Sequence, residues 1–165
     1  MQQKRVSFVV GHEHWGKSRT LRALTNGDSY QRKITIGGVE FYVRRTSNDD
    51  FPERYVEFMN SRDPNTMPNL IASLCPKFEK LNNYDNTLKI ADAVLRALRG
   101  KGYQLFFWVI EHRWGNPASV VTENEISELY RYGPVQVFSE IDAKDSVRAA
   151  ELRTFVADVV LGPGI

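Results

Sequence analysis

The stretch VSFVVGHEHWGKSRTLRAL, residues 6–24, decides how the rest of the chain is interpreted. It begins with an apolar run typical of a buried β-strand and ends with apolar residues at helical spacing. Between them, residues 11–18 read GHEHWGKS, which fits the pattern G-x-x-x-x-G-K-S/T at every fixed position. Such a match is expected by chance in about one of a hundred sequences of this length. A strand before the match and a helix after it are the context that a phosphate-binding loop requires.

Each fixed position of this loop has a chemical reason. Gly11 and Gly16 permit the backbone angles that turn main-chain N–H groups inward around phosphate oxygens. Lys17 would hold its ammonium group against the β- and γ-phosphates, and the Ser18 hydroxyl would bind Mg²⁺. The helix that begins here adds the positive end of its dipole. The predicted nucleotide-binding residues of this segment are Gly11, His12, Glu13, His14, Trp15, Gly16, Lys17, Ser18 and Arg19.

The rest of the chain alternates short apolar runs with segments of helical periodicity. The predicted strands are residues 6–10, 33–36, 39–43, 70–74, 103–110 and 135–138. The predicted helices are residues 17–25, 52–60, 84–99, 123–131 and 144–161. A tight turn at Gly37 and Gly38 predicts that the second and third strands form an antiparallel hairpin. The other connections run strand, helix, strand, which predicts an α/β fold with a mostly parallel sheet and helices on both faces.

Composition narrows the classes of function. With 165 residues, 42% of them hydrophobic and 25% charged, the chain suits one compact domain, 1–165, and it contains no repeat or linker. A net charge of +2 without a run of lysine or arginine gives no indication of nucleic acid or a membrane as partner. The N-terminal apolar run is too short for a signal peptide or a spanning helix, so we expect a cytoplasmic protein. The single cysteine, Cys75, gives neither a disulfide nor a metal-finger spacing.

On the loop GHEHWGKS and the order of its elements, the sequence resembles the P-loop NTPase superfamily. It is most similar to the small-GTPase-like branch, because the hairpin ITIGGVEFYV, residues 34–43, follows the helix after the loop. The segment VFSEIDAKDSVRAAELRTFVADVV, residues 137–160, is similar in layout to the final strand, loop and helix of that branch. The resemblance covers nearly the whole chain in topology, but only the loop in specific motif. It implies a three-layer fold with a sheet of about six strands, ATP or GTP as ligand and Mg²⁺ as cofactor.

The magnesium-binding aspartate of that branch has no clear counterpart here. The branch carries Asp-x-x-Gly after the second hairpin strand, whereas this chain reads RRTSNDD at residues 44–50. Asp50 precedes Phe-Pro-Glu with the spacing of a capping box, which favours a role as helix N-cap. Asp49 is therefore the candidate that would complete the metal shell beside Ser18, and a solvated loop aspartate is the alternative.

Arg44 and Arg45 stand at the carboxyl end of a predicted strand beside the expected phosphate site. Because alternate strand residues point to opposite faces, one of the two can aim at the ligand. A guanidinium there would neutralise charge that builds on the transferred phosphoryl group. Surface arginine is the other interpretation for either residue.

The base-binding motif of the branch, Asn/Thr-Lys-x-Asp, is replaced by EHRWGN at residues 111–116, so guanine specificity does not carry over. Arg113 or Trp114 would instead stack on a base, a contact that tolerates any purine. Packing of Trp114 on its own domain is equally consistent with the sequence.

Other residues of the predicted loops could also contact a nucleotide. Trp15 would lie over the ribose or shield the phosphates. The histidines His12, His14 and His112 all follow predicted strands, and a zinc site, nucleotide contacts and solvated loop residues stay open for them.

Three functions fit these residues. The first is a Mg²⁺-dependent NTP hydrolase or nucleotide-dependent switch, with His12, His14 and Asp49 as candidates for positioning water. The second is a small-molecule or nucleotide kinase, with residues 112–124 as a lid. Its acceptor ligands would be Arg44, Arg45, Arg54 and Arg62. The third is an interaction module that binds nucleotide without turnover and serves a protein partner. The candidate catalytic residues are Lys17, Arg44, Arg45 and Asp49.

Overall fold

The computed structural model describes residues 3–27, 31–81 and 87–162. The strands are β1 (Arg5–Val10), β2 (Lys33–Ile36), β3 (Val39–Arg44), β4 (Asn69–Leu74), β5 (Gln104–Ile110), β6 (His112–Arg113), β7 (Asn116–Val120) and β8 (Val135–Phe138). The α-helices are α1 (Lys17–Leu24), α2 (Pro52–Asn60), α3 (Ala91–Gly100), α4 (Glu123–Tyr130) and α5 (Asp145–Phe155). A 3₁₀ turn, Thr87–Lys89, precedes α3, and a π-helical turn, Val156–Val160, continues α5. Within the described ranges, none of the helices is long and apolar enough to cross a bilayer.

Six strands form one sheet in the order β2-β3-β4-β1-β5-β8. β2 and β3 pair antiparallel through the turn at Gly37 and Gly38, and the remaining neighbours pair in parallel. Both glycines of the turn have positive φ, at 56° and 76°, which explains the choice of glycine there. The predicted α/β class, mostly parallel sheet and antiparallel hairpin are therefore confirmed.

β1 occupies the centre of the sheet between β4 and β5. Its last residue, Val10, is level with Leu74 of β4 and Val109 of β5, so the loop after β1 emerges between the carboxyl ends of two buried strands. In open parallel sheets this edge is where ligands bind, because loops and helix N-termini converge there. β4 also separates β1 from β3, so residues that follow β3 start two strands away from the loop.

Alternate residues of the central strands feed two apolar cores, one on each face of the sheet. Phe8 packs into the core that α2, α3 and α4 cover, whereas Val9 packs into the core that α1 and α5 cover. Strand residues alternate between faces, so a strand buried on both sides reads as a continuous apolar run. Helices on both faces therefore hold β1 and the start of its loop in place.

One helix begins later than predicted, and one short hairpin was not predicted. The helix predicted over residues 84–99 begins at Ala91 in α3, and residues 82–86 lie outside the described part of the chain. Leu88 fits the apolar stripe of α3 by spacing, but it is exposed in the 3₁₀ turn. The predicted lid over residues 112–124 contains the hairpin β6–β7, whose strands lack the apolar alternation that would have indicated them.

Gly133 tests how β8 packs against β5. A Cβ added to Gly133 would overlap the carbonyl oxygen of Leu105. We expect Gly133→Ala to force the backbones apart and lower the free energy of unfolding by about 2 kcal/mol in urea denaturation. Gly100→Ala is the matched control, because nothing lies within 4 Å of a Cβ at Gly100, and we expect no loss there. Wild-type stability in Gly133→Ala would contradict this packing.

Candidate phosphate-binding site

The loop between β1 and α1 has the backbone handedness of an anion-binding nest. His14 and Gly16 lie in the left-handed region, with φ of 66° and 92°, and Trp15 between them does not. Alternating handedness is the conformation in which successive main-chain N–H groups converge on an anion. A hydrogen bond of 3.1 Å from the Gly11 N–H to the Leu74 carbonyl ties the start of the loop to β4.

The N-terminus of α1 is not capped by any side chain of the described residues. Gly16 is its N-cap residue, and no acidic side chain stands in the first turn. The first N–H groups of a helix have no partner within the helix, and the helix dipole makes this end positive. The loop therefore delivers an open set of donors beside the nest.

Lys17 folds its side chain back into the loop. The residue is only 6% exposed, and its Nζ donates a 2.8 Å hydrogen bond to the His12 carbonyl oxygen. Burial lowers the pKa of this ammonium group, against the opposing effect of Cys75, Asp50, Asp49 and Glu13. An ammonium group carries three donors, and the His12 carbonyl takes one of them. The amine is thus held inside the loop instead of reaching into bulk solvent.

Two adjoining cavities border the loop and share His14, Trp15, Gly16 and Arg19. The first has a volume of about 360 Å³, and we call it the Lys17 cavity. Its further lining residues are Lys17, Ser18, Arg45, Asp50 and Ser73. The second has a volume of about 370 Å³, and we call it the Trp114 cavity. Its further lining residues are Trp114, Ala143, Lys144, Asp145 and Arg148.

A larger hollow of about 700 Å³ lies at the opposite edge of the sheet, beside the starts of β1, β3 and β4. Two of its lysines are engaged by the backbone. Lys4 donates to the Met67 carbonyl, and Lys101 donates to the Arg62 carbonyl. Because the nest and the helix N-terminus lie at the other edge, the two cavities beside the loop are the stronger candidates for a ligand site.

The two aspartates after β3 have different surroundings. Asp50 is exposed and lines the Lys17 cavity, whereas Asp49 is buried in an ion pair with Lys77. The prediction that Asp50 caps α2 is wrong, since the N-cap is Phe51 and no side chain caps it. The Asp50 carboxylate instead accepts the Ser47 N–H at 2.9 Å. The side chain is thus turned toward its own loop and not toward the first N–H groups of α2.

The ion pair with Lys77 sets the charge state of Asp49. Burial raises the pKa of the Asp49 carboxyl, but the hydrogen bond and charge of Lys77, with Lys89 and Lys17 nearby, outweigh burial. The pKa of Asp49 therefore lies below its ordinary value and the group is a carboxylate at neutral pH. Its role as a magnesium ligand stays a prediction, and Asp50 is the aspartate that shares a cavity with Ser18.

Arg44 and Arg45 point in different directions. The Arg44 guanidinium lies 4.4 Å from the centre of the Phe58 ring on α2. Arg45 lines the Lys17 cavity and donates to the Thr25 hydroxyl at 2.9 Å. Arg45 is therefore the member of the pair that is placed beside the loop.

The other two arginines of the kinase hypothesis pack on aromatic rings. Arg54 lies 5.9 Å from the Phe51 ring centre, and Arg62 lies 5.1 Å from the Phe58 ring centre. Arg62 also donates to the Pro68 carbonyl near the opposite edge of the sheet. Neither lines the Lys17 cavity or the Trp114 cavity.

His12 is bound from both sides of its ring. Nε2 lies 3.0 Å from a Glu125 carboxylate oxygen, and Nδ1 lies 3.9 Å from the Cys75 sulfur. This order of thiol, imidazole and carboxylate has the form of a nucleophile with its base. The Cys75 thiol is fully buried, however, and burial raises its pKa to about 12, so it is not a reactive nucleophile. The described residues contain no cluster of three or more His, Cys, Asp or Glu that could hold a metal.

The aromatic residues divide between core and surface. Trp15 is buried in the core and meets the edge of the His12 ring at 5.1 Å between ring centres, while it also borders both cavities. Trp114 is 61% exposed beside Gly115 in the β6–β7 hairpin and lines the Trp114 cavity. Glu13 and Arg113 are exposed, and neither cavity is lined by them.

Five cavity residues were not predicted from the sequence: Ser73, Ala143, Lys144, Asp145 and Arg148. Two of the polar ones, Ser73 and Arg148, are buried. Ser73 lies within the apolar run of β4, level with Val9 of β1, and its buried hydroxyl has no hydrogen-bond partner among the described residues. A polar residue near the end of a buried strand was the available signal. Arg148 on α5 donates to the Trp15 carbonyl at 2.9 Å, a contact across 133 positions that no local pattern indicates.

Asp49→Asn tests the ion pair with Lys77. We expect the substitution to lower the free energy of unfolding by about 2 kcal/mol at pH 7, because Lys77 loses a charged partner. Since the folded-state pKa of Asp49 lies below its ordinary value of 3.8, this stabilisation is present above that pH and is lost as the pH falls through the folded-state value. Urea denaturation from pH 7 to pH 3 measures it, and exposed Asp158→Asn is the control. A deficit that stays constant at all pH values would contradict the assignment.

Comparison of the chain with protein-family models finds no match. Comparisons with curated proteins and with solved structures find no match either. The fold is an α/β domain with a mostly parallel six-stranded sheet, and any function must be argued from the geometry of the loop and its two cavities.

Proposed function

We propose that this protein binds ATP or GTP together with Mg²⁺ and acts as an NTPase or as a nucleotide-dependent switch. One observation carries the proposal. The buried Lys17 ammonium group lies inside a loop of alternating handedness at the uncapped N-terminus of α1. A polyphosphate is a ligand that uses all of these features at once, since each favours negative charge. The likeness to P-loop NTPases of the small-GTPase-like kind, and a cytoplasmic location, belong to this proposal.

The two cavities suit the two parts of a nucleotide. The Lys17 cavity contains cationic and hydroxyl side chains and would take the phosphates. The Trp114 cavity continues from the same loop residues and offers an exposed indole, on which a base would stack. Each volume lies at the lower end of the range that is typical of small-molecule sites. A ligand that crosses the shared residues would therefore occupy both.

Mg²⁺ would be held by Ser18 together with Asp50, and not by Asp49. Both side chains line the Lys17 cavity and both are exposed. Mg²⁺ is commonly bound through one or two protein ligands, with waters and phosphate oxygens completing its shell. When bound, the ion would neutralise charge on the phosphate oxygens. Asp49 is less suited, because its carboxylate already pairs with Lys77.

Lys17 and Arg45 would stabilise charge on a phosphoryl group that water attacks. Of the three residues that the sequence suggested for positioning the water, His14 alone lines the Lys17 cavity. His12 is held by Glu125 and Asp49 by Lys77. This arrangement favours a second candidate function, a module that binds nucleotide and signals to a protein partner without turnover. The kinase is less favoured, since of its four candidate acceptor ligands only Arg45 lines a cavity, and Arg44, Arg54 and Arg62 lie outside both.

Lys17→Ala tests the binding site itself. We expect the variant to lose retention of labelled ATP and GTP in the presence of Mg²⁺, because it lacks the lysine that the motif places against the phosphates. Lys33→Ala is the matched control, as Lys33 is exposed and pairs weakly with Glu40 at 3.8 Å. Equilibrium dialysis with each nucleotide measures retention. Equal retention by Lys17→Ala and wild type would show that the site has been misassigned.

The products of the same incubation separate the functions. Release of free phosphate supports the NTPase, and unchanged but retained nucleotide supports the binding module. Transfer of label to an added nucleoside monophosphate would support the kinase instead and contradict the proposed hydrolysis. The comparison is made on wild type with and without Mg²⁺.

Asp50→Asn tests the metal assignment against Asp49→Asn. We expect Asp50→Asn to weaken binding of the Mg²⁺ complex of the retained nucleotide by about tenfold and to leave binding without Mg²⁺ unchanged. Asp49→Asn should keep the response to Mg²⁺, because Asp49 serves the ion pair with Lys77. Titration calorimetry with and without Mg²⁺ measures both variants. A loss of Mg²⁺-dependent affinity in Asp49→Asn and not in Asp50→Asn would show that Asp49 is the magnesium ligand.

A further inference from the structure

A buried arginine stands directly behind the phosphate-binding loop. Arg148, in the first half of α5, is 1% exposed, and its Nη1 donates to the Trp15 carbonyl at 2.9 Å. The guanidinium packs so closely that Nη1 would lie 2.8 Å from a Cβ at Gly16. Its Nε and Nη2 find no hydrogen-bond partner in the described part of the chain. Arg148 also lines the Trp114 cavity.

The Arg148 guanidinium has no carboxylate in direct contact among the residues that the structure describes. Among the described residues it forms no ion pair, and the acidic group that acts on it, Asp145, pairs with Arg19 at 3.1 Å. Burial lowers the pKa of the guanidinium, although an arginine keeps its proton at neutral pH. An unpaired buried charge is unfavourable unless some other charge compensates it. The acids in the described part of the chain therefore leave Arg148 without an ion pair, and a bound anion would supply the missing counter-charge.

One peptide unit connects Arg148 to the anion side of the loop. A trans peptide is planar, so its carbonyl and its N–H point in opposite directions. The Trp15 carbonyl belongs to the same peptide as the Gly16 N–H. By holding that carbonyl from behind, the guanidinium turns the Gly16 N–H to the other side. A charged donor on the carbonyl also polarises the peptide, which makes its N–H a stronger donor.

We propose that Arg148 is a positioning residue whose buried guanidinium is the counter-charge of the bound phosphates, acting through the Trp15–Gly16 peptide. This inference rests on the proposed function. The ligand that Arg148 compensates is the polyphosphate chain in the Lys17 cavity. The contribution of Arg148 to ligand affinity therefore grows with the negative charge of the ligand. Arg148 is thus poorly compensated in the free protein and well compensated in the complex.

Arg148→Met separates this role from simple structural support. Methionine fills much of the same volume without charge, so removal of an uncompensated buried ion offsets the lost bond to Trp15. We expect an unchanged or higher urea midpoint without nucleotide. Affinity for the nucleoside triphosphate that wild type retains should fall about tenfold or more, and affinity for the corresponding monophosphate should fall less. Arg148→Lys should recover part of the triphosphate affinity, because it restores the charge.

Arg153→Met is the matched control on the same helix, since Arg153 is exposed and donates only a 3.4 Å bond to the Leu24 carbonyl. It should leave both nucleotide affinities unchanged. Calorimetry with the triphosphate and the monophosphate, together with urea denaturation, is run on all variants. If wild type binds no nucleotide, or if Lys17→Ala binds as well as wild type, the proposed function itself fails.

If wild type binds in a Lys17-dependent way, three results would overturn the inference alone. The first is unchanged triphosphate affinity in Arg148→Met. The second is an equal loss for triphosphate and monophosphate accompanied by a lower urea midpoint, which is the mark of structural support. The third result applies if Arg148→Met does not fold, in which case Arg148→Lys is compared with Arg148→Gln. For each variant, the ratio of triphosphate affinity to monophosphate affinity is measured. A ratio in Arg148→Lys that is no higher than in Arg148→Gln would overturn the inference.

Discussion

The loop after β1 depends on one partly buried hydrogen bond, from the Lys17 ammonium group to the His12 carbonyl oxygen. An ammonium group is strongly hydrated, and burial is unfavourable to it unless anionic or carbonyl oxygens replace the lost water. Here the backbone of the loop supplies one oxygen, and two N–H donors of the amine remain for a ligand. The same carbonyl accepts the Trp15 N–H at 3.2 Å, so the curl of the loop and the position of the amine depend on each other.

The fold explains why this charge can be held in place. β1 is the central strand and is buried on both faces, and α1 and α5 pack together on one of these faces. The loop is therefore fixed at its start by β4, at its end by α1 and from behind by Arg148 on α5. The sheet and its helices thus support the loop, and the two cavities lie beside it. In such an arrangement main-chain N–H groups bind a ligand without first reorganising. Positive charge converges on the loop from Lys17, Arg45 and Arg148, which makes it suited to an anion.

Most of the fold was predictable because its signals are local. The fixed positions of the loop, the Gly37-Gly38 turn and the buried apolar runs each report on a few neighbouring residues. The N-cap role predicted for Asp50 was wrong for the opposite reason. The spacing from Asp50 to Glu53 is the same whether the carboxylate caps α2 or accepts the Ser47 N–H. The structure decides the matter partly through Lys77, which pairs with Asp49 from 28 positions away. The order of the strands, with β4 between β3 and β1, and the contact of Arg148 with the loop likewise depend on long-range packing.

The most direct test of the central claim follows the loop's own amides while ligand is added. We predict that titration of ¹⁵N-labelled protein with ATP or GTP and Mg²⁺ moves the amide resonances of Gly16, Lys17 and Ser18 downfield, as N–H groups do when they donate to phosphate oxygens. The resonances beside Lys4 and Lys101, at the opposite edge of the sheet, should stay unchanged. Shifts confined to that opposite edge, or no shift at all with either nucleotide in excess, would contradict the assignment of this loop as a phosphate site.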